Sequence, residues 1–310
     1  MIARAIEPAQ QAIDWSKGAG HIDGRIVPIA KAKLPITDWG FARSDVTYDV
    51  VHVWKGAFFR LDDHLKRFQA SMQALRLTIP YDAAALKREL TALVRRTDLR
   101  DAYVSMICTR GSPEPGRPRH PKYCVNRFMA YAVAFAWVIP PEIQARGAHA
   151  IVAATPRIPP ESVDPTIKNF HWGDLTRALF EASDRGADTA ILQDGKGFVT
   201  EGPGFNVFAV IGGTLVSPDR GALEGITRMS VFELCDELKI PRHIGRLSVA
   251  ELREADEIFT STTAGGVMPV SRLDGRILGN DRPGPISMKL RELYWKKHEQ
   301  GWHATPIAYD

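Results

Sequence analysis

The sequence predicts a mixed α/β (α+β) fold of two domains, a small N-terminal α/β domain and a larger, β-rich C-terminal one. A chain of 310 residues with 45% hydrophobic residues is large enough to bury two cores. Strand-like and helical periodicities both occur along the chain. A segment that opens with proline separates a first series of predicted strands and helices from a second series. We therefore place the first domain at residues 1–140, a linker at 141–147 and the second domain at 148–310.

The first domain is predicted to alternate strands and helices. Its strands are the apolar runs that end in turn signals, at residues 25–29, 45–54, 103–109 and 128–138. Two helices lie between the second and third strands, because apolar residues recur there at helical spacing behind a candidate N-cap, Asp62. These apolar positions are Leu65, Phe68, Met72 and Leu75, followed by Leu86, Leu90, Leu93 and Val94. The last two strands bracket a loop rich in Pro, Gly and Arg at residues 111–122.

The second domain is predicted to open with a strand at residues 148–154 and to continue with two amphipathic helices. Hairpin-like strands at 190–216 separate these helices, and a further strand follows at 257–260. The apolar positions of the helices are Leu175, Ala178, Leu179 and Ala182, and then Val231, Leu234, Cys235 and Leu238.

Charge and composition argue against several classes of function. Lys+Arg number 40 and Asp+Glu 36, and the net charge of +4 is spread without a basic block, so a nucleic-acid partner is not expected. The first thirty residues carry Glu7, Asp14 and Asp23, and no segment approaches the ~18 apolar residues of a membrane span. Three widely spaced cysteines, at 108, 124 and 235, are typical of reduced thiols. We expect a soluble, cytoplasmic protein without a membrane partner.

Two residues of the second domain suggest chemistry on one cofactor. Lys168 is predicted to leave a strand end among aromatic residues, which would favour the neutral amine that condenses with an aldehyde. Glu201 opens the glycine-rich run Glu201-Gly202-Pro203-Gly204-Phe205-Asn206 and could hold a pyridinium nitrogen. A Schiff-base lysine and an acid for the ring nitrogen are the groups that pyridoxal phosphate needs most. The alternative for Lys168 is an ordinary surface lysine.

A phosphate site is predicted from two turns and an arginine. Gly225-Ile226-Thr227 precedes a helix, whose first N–H groups can bind a phosphate, although Thr227 could instead be a simple N-cap. The small-residue turn 261–266 could close the same site. Arg67 lies off the apolar stripe of its helix and by pattern alone is a solvated flank, but a guanidinium suits a phosphate dianion.

Motifs of rival chemistries do not occur in the sequence. There is no G-x-S-x-G elbow, no P-loop, no H-E-x-x-H and no C-x-x-C, so neither a metal site nor nucleotide chemistry is predicted. The run Gly202-Pro203-Gly204 lacks the third Rossmann glycine, since Val occupies position 207. His52, His64 and His171 are isolated in sequence, and we interpret them as structural histidines.

Five motifs in order resemble the fold type IV pyridoxal-phosphate transaminases over nearly the whole chain. They are residues 60–67, Thr166-Ile167-Lys168-Asn169, the 201–206 run, Gly225-Ile226-Thr227-Arg228 and Thr262-Thr263-Ala264-Gly265-Gly266. Within that family, residues 44–50 and the Trp172-Gly173-Asp174-Leu175 run look most like the (R)-selective amine transaminases.

The resemblance implies roles for these residues. Lys168 would form the internal aldimine and move the proton, Glu201 would hold the pyridine nitrogen and Leu223 would pack on the ring. The implied phosphate ligands are Arg67, Ile226, Thr227 and Thr263. The implied walls are Tyr48, Tyr103 and Trp172 for a large substrate pocket and Val50, Thr262 and Ala264 for a small one.

The same resemblance implies a homodimer that moves an amino group from an (R)-configured primary amine to a small 2-keto acid such as pyruvate, by a ping-pong mechanism. Arg117 would bind the acceptor's carboxylate, with Arg119 or Arg110 as alternatives. Arg43 stands where related enzymes usually carry histidine, and it either enters the large pocket or snorkels outward. A D-amino acid or branched-chain amino acid transaminase is the alternative, and a lyase or a non-catalytic scaffold on this fold are further ones.

Overall fold

A computed structural model describes residues 14–309, and residues 1–13 and 310 of the two predicted domains lie outside the described residues. The strands are β1 (Ala19–Ile22), β2 (Arg25–Pro28), β3 (Val46–Trp54), β4 (Ala57–Phe59), β5 (Ala102–Pro113), β6 (Cys124–Ala134), β7 (Ala148–Val152), β8 (Thr189–Ile191), β9 (Glu201–Gly202), β10 (Phe205–Ile211), β11 (Thr214–Pro218), β12 (Arg242–Gly245), β13 (Glu257–Thr262), β14 (Gly266–Leu273), β15 (Arg276–Ile277) and β16 (Ala304–Pro306). The helices are α1 (Trp39–Arg43), α2 (Leu61–Ala74), α3 (Ala83–Thr97), α4 (Pro141–Arg146), α5 (Gly173–Asp184), α6 (Ile226–Leu238), α7 (Val249–Glu254) and α8 (Pro285–Glu299).

The first sheet is antiparallel, with the seven strands in the order β16-β4-β3-β5-β6-β1-β2. Successive side chains of a strand point to opposite faces, so each face has its own partners. Val51 and Val53 of β3 belong to the core that α2 and α3 complete through residues such as Leu65 and Leu90. The opposite face carries Tyr48 and Val50 of β3, and both residues line a cavity that is described below.

The first long helix begins earlier than the sequence predicted. Arg60 is the N-cap of α2, with φ 53° and ψ 39°, so Asp62 lies inside the first turn and the prediction of Asp62 as N-cap is wrong. The chain passes from β4 directly into the helix through this left-handed residue and leaves no room for a separate capping residue. Asp62 and Asp63 instead place carboxylates at the positive end of the helix dipole.

The second sheet is mixed, with a main path in the order β12-β11-β10-β13-β14-β7-β8, while β15 pairs with β14 and β9 pairs with β10. Phe208 and Phe259 point to the face covered by α6 and α8. Their neighbours Val207 and Ile258 point to the other face, where they pack with residues of α7 and β7. The sheet is therefore buried on both faces, and the ends of its strands and helices are free to build a site.

The predicted fold class, a mixed α/β protein with one small and one larger β-rich sheet region, is confirmed. The domain boundaries stay predictions, but two observations bear on them. Residues 141–146 of the predicted linker form the short helix α4, and β16 pairs antiparallel with β4 in the first sheet. A strand from the predicted second domain therefore completes the first sheet. Within residues 14–309, no helix is long and apolar enough to cross a membrane.

Candidate active site

A cavity between the two sheets collects the predicted site residues. It is lined by Tyr48, Val50, Arg67, Tyr103, Lys168, Trp172, Glu201, Leu223, Ile226, Thr227, Thr262, Thr263 and Ala264, which are all the predicted positions except Arg43 and Arg117. The lining comes from β3 and β5 of the first sheet, and from β9, the N-terminus of α6 and the turn after β13 in the second. The two sheets therefore share one site.

Lys168 enters this cavity from a loop, not from the end of a strand as predicted. Its carbonyl accepts hydrogen bonds from Thr47 Oγ1 at 2.7 Å and from the Tyr48 N–H at 3.3 Å, so the loop is bound to the edge of the first sheet. The Nζ atom lies 4.4 Å from the centre of the Tyr48 ring. Among residues 14–309, no carboxylate forms an ion pair with this amine, which leaves it available for chemistry.

Glu201 is buried on β9 and bound by two donors. Arg157 Nε donates to its Oε1 at 3.0 Å, and the Leu223 N–H donates to its Oε2 at 3.0 Å. Burial raises the pKa of Glu201, while the guanidinium of Arg157 and the Leu223 N–H oppose that rise. Arg157 also donates to Asp174 Oδ2 at 2.7 Å, so one buried arginine joins two buried carboxylates.

Sequence reasoning missed Arg157 and assigned no role to Asp174. The signal available was indirect, because a carboxylate that holds a ring nitrogen inside a cofactor site needs a cation if it is buried. Nothing in the Pro-flanked segment around Arg157 distinguishes it from the other arginines of the chain. Only the fold brings these two positions, 44 residues apart, into contact.

The N-terminus of α6 and the turn at 262–265 form an open cradle. Gly225 is the N-cap in extended conformation and no side chain caps the helix, so the first N–H groups, including those of Ile226 and Thr227, face the cavity without intrahelical partners. Thr227 is therefore the second helical residue and not the N-cap. A Cβ at Gly225 would collide with Asn206 Oδ1, which explains the glycine at this position.

Arg67 is half-buried at the rim of this cradle instead of being a solvated flank. Its Nε and Nη2 donate to Asp49 Oδ2 and Oδ1 at 2.8 Å and 2.9 Å, and its Nη1 donates to the Glu224 carbonyl at 3.0 Å. His64 Nδ1 lies 2.8 Å from Asp49 Oδ1. Burial acts to raise the pKa of Asp49, but Arg67 and His64 outweigh it and hold that pKa well below its usual range. Asp49, which the sequence did not single out, therefore orients Arg67.

The Asp49 carboxylate should contribute pH-dependent stability. Its pKa is lower in the folded protein than the ~3.9 of an unfolded aspartate, so the contribution is present above that value and is lost as the pH falls below it. We expect Asp49→Asn to lower the free energy of unfolding by about 3 kcal/mol at neutral pH, because Arg67 loses its buried partner. Urea unfolding at several pH values measures this difference, which should narrow below about pH 4.

The matched control is Asp62→Asn, since Asp62 pairs with Lys87 on the surface and its side chain is 79% exposed. Surface pairs of this kind contribute little, so the control should unfold like the unmodified protein. An Asp49→Asn deficit that stays constant down to about pH 3 would mean that the carboxylate charge is not the source of the stability.

The part of the cavity lined by the predicted substrate residues is aromatic. A second cavity adjoins the first, and both are lined by Tyr48, Tyr103 and Trp172. The wall of this second cavity is completed by Ser105, Ile107, Tyr131 and Phe170. Sequence reasoning missed Tyr131, which lies opposite Ser105 in the β5–β6 register and whose ring centre is 6.1 Å from that of Tyr103. The predicted small-pocket residues Val50, Thr262 and Ala264 line the main cavity near Lys168.

The structure does not bring Arg43 or Arg117 to either cavity. The Arg43 guanidinium lies 3.6 Å from the centre of the Trp39 ring on the exposed end of α1, because stacking on that indole is available within its own helix. Arg117 is exposed, 3.8 Å from the Glu114 carboxylate and 5.6 Å from the Tyr123 ring centre. Of the alternatives, Arg110 is bound by both oxygens of Asp45 at 2.9 Å and 3.1 Å, so it is not a free carboxylate ligand.

The donors around the main cavity fit pyridoxal phosphate. Ser261 lines the cavity, and its buried Oγ has no hydrogen-bond partner among residues 14–309. The α6 cradle offers N–H groups without intrahelical partners. Lys168 supplies a free amine and Glu201 a buried carboxylate at other points of the same cavity. Among residues 14–309, no cluster of His, Cys, Asp and Glu could hold a metal ion. The site therefore offers an amine, an acid and an anion cradle to one ligand.

Comparison with known proteins gives consistent matches. Residues 47–273 match the family described as amino-transferase class IV. A provisionally named branched-chain-amino-acid aminotransferase of Methanocaldococcus jannaschii is 31% identical over 276 residues, which are 88% of this chain and 94% of that protein. A D-alanine aminotransferase of Bacillus licheniformis is 29% identical over 274 residues, 87% of this chain and 93% of that one. The solved branched-chain amino acid aminotransferase of Thermobaculum terrenum, in its PLP-form, has a TM-score of 0.83 at 26% identity, covering 94% of this chain and 98% of that one.

Proposed function

We propose, from the premise that this chain belongs to the amino-transferase class IV family, that it transfers the amino group of an (R)-configured primary amine to a small 2-keto acid such as pyruvate. Membership of the family makes it a fold type IV aminotransferase that uses pyridoxal phosphate. The finer assignment, the amine donor, rests on the composition of the substrate side of the cavity.

Pyridoxal phosphate, when bound, supplies an aldehyde that condenses with amines and a ring that accepts electrons. The N–H groups of Ile226 and Thr227 bind its phosphate at the positive end of α6, with the Arg67 guanidinium at the rim. Glu201 would hold the ring nitrogen, and Arg157 opposes the rise that burial imposes on the pKa of that carboxylate. Leu223 packs beside the ring and fixes Glu201 through its own N–H.

Lys168 is the acid–base residue of the proposal. Its Nζ would accept the proton that leaves the Cα of the donor amine, and in the second half of the reaction it would return a proton to the carbon of the keto acid that receives the amino group. The loop that carries Lys168 is bound to β3 through its own carbonyl, so the amine is placed against the aromatic wall by two hydrogen bonds to the first sheet. Tyr48 and Trp172 border the space in which the reacting carbon would lie.

The observation that carries the amine assignment is the absence of an available cation on the substrate side. Within the described part of the chain, the second cavity has no charged side chain in its lining. The cations of the main cavity other than Lys168 are already paired, Arg67 with Asp49 and Arg157 with Glu201. A cation here would favour a donor with a carboxylate, whereas an aryl-alkyl amine needs only the aromatic wall.

The acceptor does carry a carboxylate, and we assign it to an arginine of loop 111–122, with Arg117 as the leading residue and Arg119 as the alternative. Both are exposed, and the contact of Arg117 with Glu114 is a weak surface pair at 3.8 Å. An arginine held so weakly is able to move toward a keto acid and away from an apolar amine.

A D-amino acid or branched-chain amino acid transaminase is the second candidate. The names of the relatives favour it, because the M. jannaschii and B. licheniformis proteins are called branched-chain and D-alanine aminotransferases. In that case an arginine would have to enter the aromatic cavity for donor and acceptor alike, and Arg43 or Arg117 would be the residue to test first.

We also propose a homodimer in the cytoplasm. An apolar cavity lies beside the second cavity and shares Ile107, Tyr131 and Phe170 with it. Next to it, Phe41 is 68% exposed and Ile36 80% exposed, which supports a second copy of the chain as the cover of this surface. The three cysteines carry free thiols, which supports a reducing compartment.

The amine assignment predicts that (R)-1-phenylethylamine, and not its (S) enantiomer, discharges the cofactor. The visible absorbance band of the protein loaded with pyridoxal phosphate should disappear with the (R) amine and return with pyruvate. Turnover with the two enantiomers should differ by about 10²-fold or more, since the wrong hand places the Cα proton away from Lys168. Acetophenone formation measures the rate.

D-Alanine and L-leucine are the matched comparison donors. A band that neither enantiomer of phenylethylamine affects, but that D-alanine or L-leucine removes, would move the assignment to the second candidate. A protein that never takes up pyridoxal phosphate would contradict both.

A further inference from the structure

We propose that His52 and His298 are paired positioning residues that hold the turn at 262–265 in place for the phosphate. This inference rests on the proposed function, because it concerns the site assigned to the cofactor phosphate. His52 lies on β3, is fully buried and does not line the cavity. It acts through Thr263, whose neighbours Thr262 and Ala264 line the cavity with it.

Three contacts join the turn to α8. His52 Nδ1 lies 2.8 Å from the Thr263 carbonyl oxygen. His52 Nε2 lies 3.2 Å from His298 Nε2. His298 Nδ1 lies 2.7 Å from the Tyr294 carbonyl oxygen one turn earlier in the helix. The turn also packs closely on α8, because a Cβ added at Gly266 would come within 2.8 Å of the Tyr294 ring.

The number of protons on the two rings determines which of these contacts can be hydrogen bonds. A carbonyl oxygen only accepts, so His52 Nδ1 and His298 Nδ1 would each have to carry a proton to make their carbonyl contacts. In two neutral rings both Nε2 atoms would then present lone pairs to each other at 3.2 Å. All three contacts can be hydrogen bonds only when the pair holds one additional proton.

The environment of the two rings disfavours binding of this additional proton at neutral pH. Burial lowers the pKa of His298 to about 4 and that of His52 well below its usual value. The charged and titratable groups facing the pair also lower these pKa values, His64 on the side of His52 and Arg60 and His303 on the side of His298. The Thr263 and Tyr294 carbonyls act in the opposite direction but do not outweigh burial. Among the described residues, neither ring is in contact with a carboxylate that would favour a charge. One ring must therefore change its tautomer.

We infer that His298 is the residue whose ring proton moves from Nδ1 to Nε2. The Tyr294 carbonyl already accepts the backbone N–H of His298 in the regular helix, so that oxygen keeps a donor when the His298 ring carries its proton on Nε2. A small tilt of the ring then relieves the contact between the unprotonated Nδ1 and the carbonyl oxygen. The Thr263 carbonyl has His52 as its hydrogen-bond donor in the described structure and would be left unsatisfied. His298 Nε2–H thus donates to His52 Nε2, and His52 Nδ1–H donates to Thr263. His52 uses both ring nitrogens, and the turn is held at Thr263.

The test replaces His52 by phenylalanine, which keeps the ring that stacks on Phe59 at 5.4 Å but removes the donor. We expect the dissociation constant for pyridoxal phosphate, and that for inorganic phosphate, to rise about tenfold, since the buried carbonyl loses its partner and the turn its anchor. His298→Gln should stay within about threefold of the unmodified protein, because its amide can donate to His52. His298→Phe should weaken binding about fivefold.

The control is His21→Phe. His21 is a buried histidine of the first sheet, packed on Tyr81 and Phe128 away from the turn, so its loss should not change phosphate binding. Nitrogen NMR of the unmodified protein gives an independent readout that a merely structural role would not produce. It should find the proton of His52 on Nδ1 and that of His298 on Nε2 at neutral pH, whether or not the variants fold.

The outcomes separate this inference from the proposed function. A His52→Phe protein that binds pyridoxal phosphate and phosphate as the unmodified protein does, or a His52 proton on Nε2, overturns the inference alone. An unmodified protein that binds no pyridoxal phosphate overturns the proposed function, and the inference falls with it.

Discussion

Replacing Lys168 with alanine is expected to lower the transaminase rate by about 10⁴-fold or more, because the variant loses both the amine that condenses with the aldehyde and the base that moves the proton. Among the described residues, Lys168 is the only lysine in the lining of the main cavity, and its amine faces the Tyr48 ring at 4.4 Å. Pyridoxal phosphate should still bind through the α6 cradle, since that binding does not depend on Lys168. The measurement is single-turnover acetophenone formation from (R)-1-phenylethylamine.

Small primary amines provide a sharper test than rate alone. A small amine such as methylamine fits the space vacated in Lys168→Ala and can serve as the base, so added methylamine should restore part of the proton transfer. Lys196→Ala is the matched control, because Lys196 is exposed on a turn outside the cavity. A Lys168→Ala enzyme that retains more than about a tenth of the rate would contradict the assigned role.

Replacing Arg157 with methionine is the second change expected to have a large effect. Arg157 opposes the rise that burial imposes on the pKa of Glu201, so its removal should raise that pKa further. A protonated Glu201 cannot hold a protonated ring nitrogen, and kcat/KM at neutral pH should fall by about 10²–10³-fold. The acid limb of the pH–rate profile should move to higher pH, because a higher pH is then needed to ionise Glu201.

The conservative variants distinguish charge from packing. Arg157→Lys keeps a cation beside Glu201 and should recover much of the rate, although it cannot bridge Asp174 with the same geometry. Glu201→Gln should lose about as much rate as Arg157→Met but should have no acid limb from this group. An Arg157→Met profile that falls in height without moving along the pH axis would mean that Arg157 acts by packing alone.

The residues proposed for catalysis and cofactor binding could be predicted from the sequence, because each lies in a short contiguous motif. Lys168, Glu201 and the Gly225-Ile226-Thr227 turn could be identified before any fold was known, and the cavity brings them together. Their partners could not be identified. Arg157 meets Glu201 across 44 residues and His298 meets His52 across 246, and such pairs follow from the sheet topology and not from local pattern.

The positions of the exposed arginines could not be predicted from the sequence for a different reason. The position of a long side chain on the surface depends on which nearby group it can stack on or pair with, and those contacts are weak. Arg43 lies on Trp39, four residues earlier in the same short helix, and this contact follows from the i,i+4 spacing only once the helix is known. The first residue of a helix is also hard to predict from the sequence. The prediction of Asp62 as N-cap was wrong because the path of the chain from β4 into α2 decides where the helix begins.

Because β16 pairs with β4, the first sheet cannot be completed until the chain has been synthesised as far as β16. Phe59 pairs with Ala304, so an edge of the first sheet is covered by residues that leave the ribosome long after the rest of that sheet. Until then β4 presents unpaired N–H and C=O groups to any extended chain nearby. The nascent protein thus carries an open edge until β16 has been made, and chaperones that bind extended segments can bind there during that time.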